Sequence, residues 1–286
     1  MRSVAIVGPG RMGLALADAL RRSEQLLEVT IYGRRPEPPA HPIFLAPDVR
    51  YVYGLERLAG HCMAVLLAVP EAAVPEVAHQ VAAQGPAPEG CSAFHLSGAL
   101  PTDVLAPFHA AGYQVGVFHP WVLAPSTPLG ADRFLGAAIG VTASPDATRT
   151  AAELASLIGA DLVTIPATRR SAADAAVTGT SMVIPVLIET MAPLLEQAGV
   201  PGDEAAAALV PLLRSVLDEV EEHGPDQALA AVLARVDPEA SGVHLRALEG
   251  EERQLYELLW AIAGRRSRAR EADATAMPSV EHVSQD

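Results

Sequence analysis

The sequence predicts an α/β fold, a doubly wound parallel sheet over residues 1–166 followed by an all-α domain. Three observations predict it. Short apolar, β-rich runs alternate with helical patterns as far as Pro166. A glycine-rich turn joins the first run to the first helical pattern. After Pro166 the strand signals stop and long alanine- and leucine-rich helical windows take over.

Taken in order, Ser3 to Val7 is apolar without alternation, as a parallel strand covered on both faces is. Arg11 to Arg22 follows as a helix. Strands are expected over Glu28 to Tyr32, Arg50 to Val52 and Met63 to Val69, then a helix from about Glu71 to Ala83. Ser92 to Leu96 and Gln114 to Phe118 are further strands, separated by a helix that Pro101 opens. Ala137 to Thr142, a helix from Pro145 to Ile158, and Asp161 to Ile165 complete the sheet domain. Helical windows then cover Arg169 to Ala198, Gly202 to His223, Pro225 to Arg235 and Pro238 to Gly264. From Arg265 to Asp286 charges and small residues mix without apolar periodicity, which predicts a disordered tail. The expected organisation is a sheet domain over 1–166, a helical domain over 167–264 and a tail over 265–286.

At 286 residues, half of them hydrophobic and 19% charged, the chain can bury a large core. A formal charge of −14 argues against nucleic acid or an anionic membrane as partner. All 20 basic residues are arginine, so Schiff-base chemistry and any catalytic or phosphate-binding lysine are excluded. Cys62 and Cys91 are too few for a disulfide scaffold and form no CxxC pair. Both precede adjacent strand runs, where packing is the expected role. The first apolar run meets Gly8-Pro9-Gly10 too early for a secretory signal core, and the longest apolar run, Cys62 to Val69, is too short to span a bilayer. A soluble protein of a reducing compartment, the cytoplasm, is expected.

Gly8-Pro9-Gly10-Arg11-Met12-Gly13 is a GxGxxG run placed between a strand and a helix, the context of the Rossmann dinucleotide fingerprint. Its glycines permit a tight turn and close backbone approach to a pyrophosphate at the positive end of the helix dipole. The alternative is an ordinary glycine turn. An NAD enzyme usually carries an acid about 20 residues on, to hold the ribose 2′-hydroxyl. This chain reads Ile31-Tyr32-Gly33-Arg34-Arg35 there, and two guanidiniums suit a 2′-phosphate, which favours NADP over NAD. Val69-Pro70, ending a central strand, should also border the cofactor.

His95-Leu96-Ser97-Gly98 and His119-Pro120-Trp121 fall at the carboxyl ends of adjacent strand runs, where open α/β sheets bind ligands. Hydride addition to C=O or C=N needs a proton near neutral pH, which suits His119 with Ser97 as hydroxyl companion. The alternatives are a loop cap for Ser97 and a packed strand-end histidine for His119. The remaining histidines show no metal spacing, so no metal is expected. Asp174 to Ser181 reads Asp-Ala-Ala-Val-Thr-Gly-Thr-Ser ahead of Pro185, small residues that suit either a ligand or helix packing across a dimer.

The fingerprint, the run Leu66-Leu67-Ala68-Val69-Pro70 and the run Leu96-Ser97-Gly98-Ala99-Leu100 resemble the short-subunit dehydrogenase-like proteins. Val117-Phe118-His119-Pro120 and the helical part to about Leu248 fit that pattern, so the resemblance covers the chain to about Gly264. It implies a Rossmann-like domain joined to a helical domain of undefined function. The architecture is similar, more distantly, to pyrroline-5-carboxylate reductase, through the segment Asp174 to Ser181, and to prephenate dehydrogenase, through Ser97 and His119-Pro120. Where the close family carries a Tyr-His pair and an asparagine, this chain has Ala172-Ala173 and Ser181. The reading expected is an NADP-dependent oxidoreductase acting on a small carbonyl, imine or hydroxy acid. Its alternative is an NADP-binding sensor or partner subunit without turnover. A homodimer through the helical domain is expected, because Thr178 to Leu195 is apolar nearly all round.

Overall fold

The structure is a computed structural model that describes residues 2–124, 130–235 and 238–276. Among the described residues, eight strands form one sheet: β1 (Arg2–Val7), β2 (Leu26–Gly33), β3 (Val49–Tyr53), β4 (Cys62–Leu67), β5 (Ser92–His95), β6 (Gln114–Pro120), β7 (Ala138–Ala143) and β8 (Asp161–Thr164). Their spatial order is β3-β2-β1-β4-β5-β6-β7-β8. The order reverses direction between β1 and β4, which opens a crevice at the carboxyl ends of the central strands.

Helices α1 (Arg11–Arg22) and α4 (Pro145–Leu157) cover one face of the sheet, and α2 (Val74–Ala82) with the short α3 (Ala106–Ala110) covers the other. The first face buries Ile6, Leu16, Leu20, Phe94, Phe118 and Phe134; the second buries Val65, Leu67, Leu105 and Phe108. Being apolar on both sides, β4 is buried along its whole length. Cys62 and Cys91 lie within the second core, as their positions before neighbouring strands suggest.

The sheet departs from the expected all-parallel arrangement at β6 and β7, which pair antiparallel with His119 opposite Gly140. No α-helix joins them among the described residues, only a 3-10 turn at Ala131–Phe134, so the chain has no crossover to bring it round in parallel. β8 then pairs parallel to β7 after the α4 crossover.

The chain divides into two compact units between Ser181 and Met182, fifteen residues beyond the boundary expected at Pro166. The cause is α5 (Arg170–Gln197), whose first turns are tied to the sheet unit by Arg170. The second unit holds the rest of α5, α6 (Gly202–Arg235), α7 (Pro238–Ala247) and α8 (Gly250–Ala276). Gly224, at φ 82° and ψ 161°, divides α6 in two. The tail expected to be disordered from Arg265 is helical to Ala276, and residues 277–286 lie outside the described residues. Arginine, alanine and glutamate are strong helix formers, and Arg270 pairs with Asp226 of α6, which apolar periodicity does not register.

The helical unit hides little. Its buried apolar side chains, among the described residues, are Ala192, Ala205, Ala228 and Leu248, while Met182, Val183, Leu212, Leu217, Leu258 and Leu259 are exposed. The stretch Ala167–Gln197 is long and apolar enough to cross a membrane by length and composition, contrary to the limit drawn from the Cys62 to Val69 run; 6% of its most apolar window is buried.

Candidate functional site

The glycine turn has the geometry its residues require. Gly8 sits at φ 113°, and a Cβ there would meet the Ala68 carbonyl oxygen at 2.4 Å. A Cβ at Gly13 would meet the Gly8 carbonyl oxygen at 2.1 Å, so α1 can start this close to β1 only with glycine there. Gly10 caps α1, and a Cβ on it would meet nothing within 4 Å, which leaves open space in front of the helix. The first intrahelical bond runs from the Leu14 N–H to the Gly10 carbonyl at 2.9 Å. The amides of Arg11, Met12 and Gly13 therefore have no acceptor among the described residues, and the first turn holds no acid to repel an anion. This cradle fits a pyrophosphate.

Arg11 is exposed, Met12 packs on the core, and Val69 and Pro70 follow β4 beside the turn, with the Val69 Cγ1 3.1 Å from a Cβ on Gly8. Arg34 and Arg35 stand exposed at the end of β2, and neither side chain has a partner among the described residues. Their loop is fixed by Tyr51, whose hydroxyl donates to the Arg35 carbonyl at 2.6 Å; its ring lies so close to Gly33 that a Cβ there would collide with it. Tyr51 carried no signal in the sequence beyond its place on a strand.

At the carboxyl end of β5, His95 and Ser97 build a loop. His95 is fully buried, accepts from the Ser97 N–H through Nδ1 at 3.2 Å, and places Nε2 3.2 Å from the Pro101 carbonyl. Those partners assign the neutral imidazole with its proton on Nε2. Burial pushes its pKa down to about 4. The Ser97 hydroxyl donates to Glu71 and accepts from the amides of Ala99 (3.1 Å) and Leu100 (3.0 Å). Its donor and both lone pairs are committed, so it caps the loop and makes no hydrogen bond to His119.

His119 does open onto a cleft, with Gly98, Trp121, Gly140, Thr142, Ile165, Arg170 and Asp174, that encloses about 240 Å³ including solvent. Gly140 lets the Trp121 indole lie against the backbone, since a Cβ there would fall 2.8 Å from Nε1. Arg170 donates from Nη2 to the carbonyls of Ser97 (3.2 Å), Gly98 (2.7 Å) and Leu100 (2.7 Å), clamping the start of α5 to the β5 loop. Burial holds the His119 pKa below the usual imidazole value; the Asp174 carboxylate opposes that shift, Arg170 adds to it and Glu71 opposes it. Sequence reasoning missed Arg170 and Glu71, and it singled out Asp174 only as the start of the segment Asp174 to Ser181, with no role of its own. The four-residue spacing of Arg170 and Asp174, just past the last strand, was the available signal, since it puts both on one helix face.

Residues 1–120 match the model of a Rossmann-like domain, and residues 137–261 match the model of a domain of unknown function (DUF2520). The chain thus joins a Rossmann-like domain to a DUF2520 domain. No curated protein matches the sequence. Among solved structures, a Plasmodium falciparum pyrroline carboxylate reductase with NADP bound is similar at TM-score 0.66 and 14% identity, over 95% of this chain and 97% of that one. A Thermotoga maritima protein is similar at TM-score 0.68 and 14% identity, over 94% and 99%. Prephenate dehydrogenase from A. aeolicus, in complex with hydroxyphenyl propionate and NAD+, is similar at TM-score 0.54 and 17% identity, over 94% and 98%. At these identities the likeness is one of fold.

Proposed function

We propose that the protein is an NADP-dependent oxidoreductase that moves a hydride to or from a small carbonyl, imine or hydroxy acid. The observation that carries this reading is a pyrophosphate cradle at Gly8–Gly13 together with a histidine-lined cleft past β5 and β6, both at carboxyl ends of parallel strands of one sheet. Solved structures of the same fold include a reductase with NADP bound and a dehydrogenase with NAD+ bound. A bound nicotinamide would supply the hydride.

The chain's own residues supply the rest. The free amides of α1 hold phosphate, and Arg34 and Arg35, exposed and unpaired among the described residues, offer charge to a 2′-phosphate where an acid would favour NAD. His119 gives or takes the proton that accompanies hydride transfer. Arg170 keeps three of its five N–H donors, on Nε and Nη1, after Nη2 is committed to the loop.

The exposed apolar faces of the helical unit belong, in this reading, against a second copy of the chain, since a closed two-fold is the commonest soluble assembly. NADPH oxidation followed by absorbance over a panel of small imines, keto acids and aldehydes tests the chemistry. Turnover with at least one class, reduced roughly 10²–10⁴-fold in His119→Ala, is expected. NADPH binding with no turnover on any class would leave a sensor or partner subunit instead.

A further inference from the structure

We propose that Asp174 is the positioning residue for His119, an anionic neighbour that holds the imidazole ready to carry a proton in the cleft they share. The inference rests on the reading of His119 as the proton carrier, and it stands first on geometry. A Cβ at Gly98 would meet the Asp174 Oδ1 at 1.9 Å and the His119 Cε1 at 2.6 Å, so carboxylate and ring crowd the same spot, one that only glycine leaves open. The crowding is built into the fold. Arg170 fastens α5 to the carbonyls on either side of Gly98, and Asp174, one turn later on the same helix face, is thereby swung over that glycine.

No hydrogen bond or ion pair joins the two side chains, and both line the cleft, so the carboxylate acts through space and leaves the ring nitrogens free for substrate. The charged and titratable groups around His119 are few. Asp174 and Arg170 come from α5, Glu71 from the turn after β4, and His95, buried and neutral, from β5. Trp121, Thr142 and Ile165, which complete the wall, carry no charge. Burial alone would leave His119 with little proton to give near neutral pH, and the Asp174 charge counters that loss.

Titration of the His119 ring by NMR in the full chain, without cofactor, tests this, with the resonance assigned by its absence in His119→Gln. Asp174→Asn should lower the His119 midpoint by on the order of one pH unit. Asp174→Glu should restore most of it, and Glu71→Gln should lower it less. Asp174→Ser serves if the amide variant fails to fold. An unmoved midpoint in the folded Asp174 variants, or a larger shift from Glu71→Gln, overturns the assignment. If the protein reduces a substrate, the alkaline limb of its kcat profile should move to lower pH in Asp174→Asn, because the acid form of His119 is then lost sooner. The titration needs no turnover, so an inactive protein counts against the oxidoreductase reading and an unmoved His119 against the pairing.

Discussion

At Gly13 an added methyl would meet the Gly8 carbonyl oxygen at 2.1 Å, whereas at Gly10 it would meet nothing within 4 Å. The two positions should therefore fail differently. Gly13→Ala forces α1 away from β1 and should cost roughly 1–3 kcal/mol in denaturant melts. Gly10→Val should keep the wild-type melt and circular dichroism while losing NADPH, because its side chain fills the space before the α1 amides. Undiminished binding in Gly10→Val would make the fingerprint a mere turn. His95 gives a second residue-scale test. Its folded pKa of about 4 lies below the roughly 6.5 of an unfolded histidine, so between those values the unfolded chain takes up a proton the folded chain refuses. Stability from this group is present above about pH 6.5 and is lost as pH falls to about 4, up to roughly 3 kcal/mol. Urea melts should show that slope in the wild type and a shallower one in His95→Gln, which cannot titrate; parallel slopes would mean that His95 is not the group responsible. The histidine-serine motif was legible in the sequence as a place, but its roles were not. Which of His95, Ser97 and His119 faces a ligand depends on hydrogen-bond partners such as the Pro101 carbonyl and Glu71, and these are fixed only by the folded loop.

The parallel strands and α1 were legible because β-rich apolar runs and helical periods alternate cleanly up to Pro166. The antiparallel turn from β6 to β7 was not, since strand direction depends on whether a crossover intervenes, and a sheet strand reads the same in either direction. The last turns of α8, beyond the helical window expected to end at Gly264, were missed for a related reason: they have helix-forming residues and a partner in Asp226 without an apolar stripe. The break inside α6 is an element-scale prediction. Gly224 occupies a region of φ and ψ that is essentially reserved for glycine, although a Cβ on it would meet nothing within 4 Å. Gly224→Ala should lower stability by about 1–3 kcal/mol through backbone strain alone. Unchanged or raised stability would show that the chain can run straight through as one helix.

For the whole molecule, the contrast between the units bears most on function. The sheet unit buries Phe94, Phe108, Phe118 and Phe134 completely, whereas the helical unit leaves leucines and valines on its outside. In the proposed homodimer those faces meet, and light scattering at micromolar concentration should return twice the 29.8 kDa chain mass. A mass of one chain would reject the dimer and leave the exposed stretch of α5 in search of another partner. The cofactor reading rests on the α1 cradle, the bare guanidiniums of Arg34 and Arg35 and the His119 cleft, all past carboxyl ends of strands in one sheet, and it is open to a direct measurement. Calorimetric titration of the full chain with NADPH and with NADH, repeated on an Arg34→Ala/Arg35→Ala double variant, decides it. NADPH should bind more tightly than NADH, and the double variant should erase that preference, each lost charged hydrogen bond costing roughly 1.5–3 kcal/mol, while NADH binding persists. Equal affinities in the unmodified protein, or no binding of either nucleotide, would contradict it.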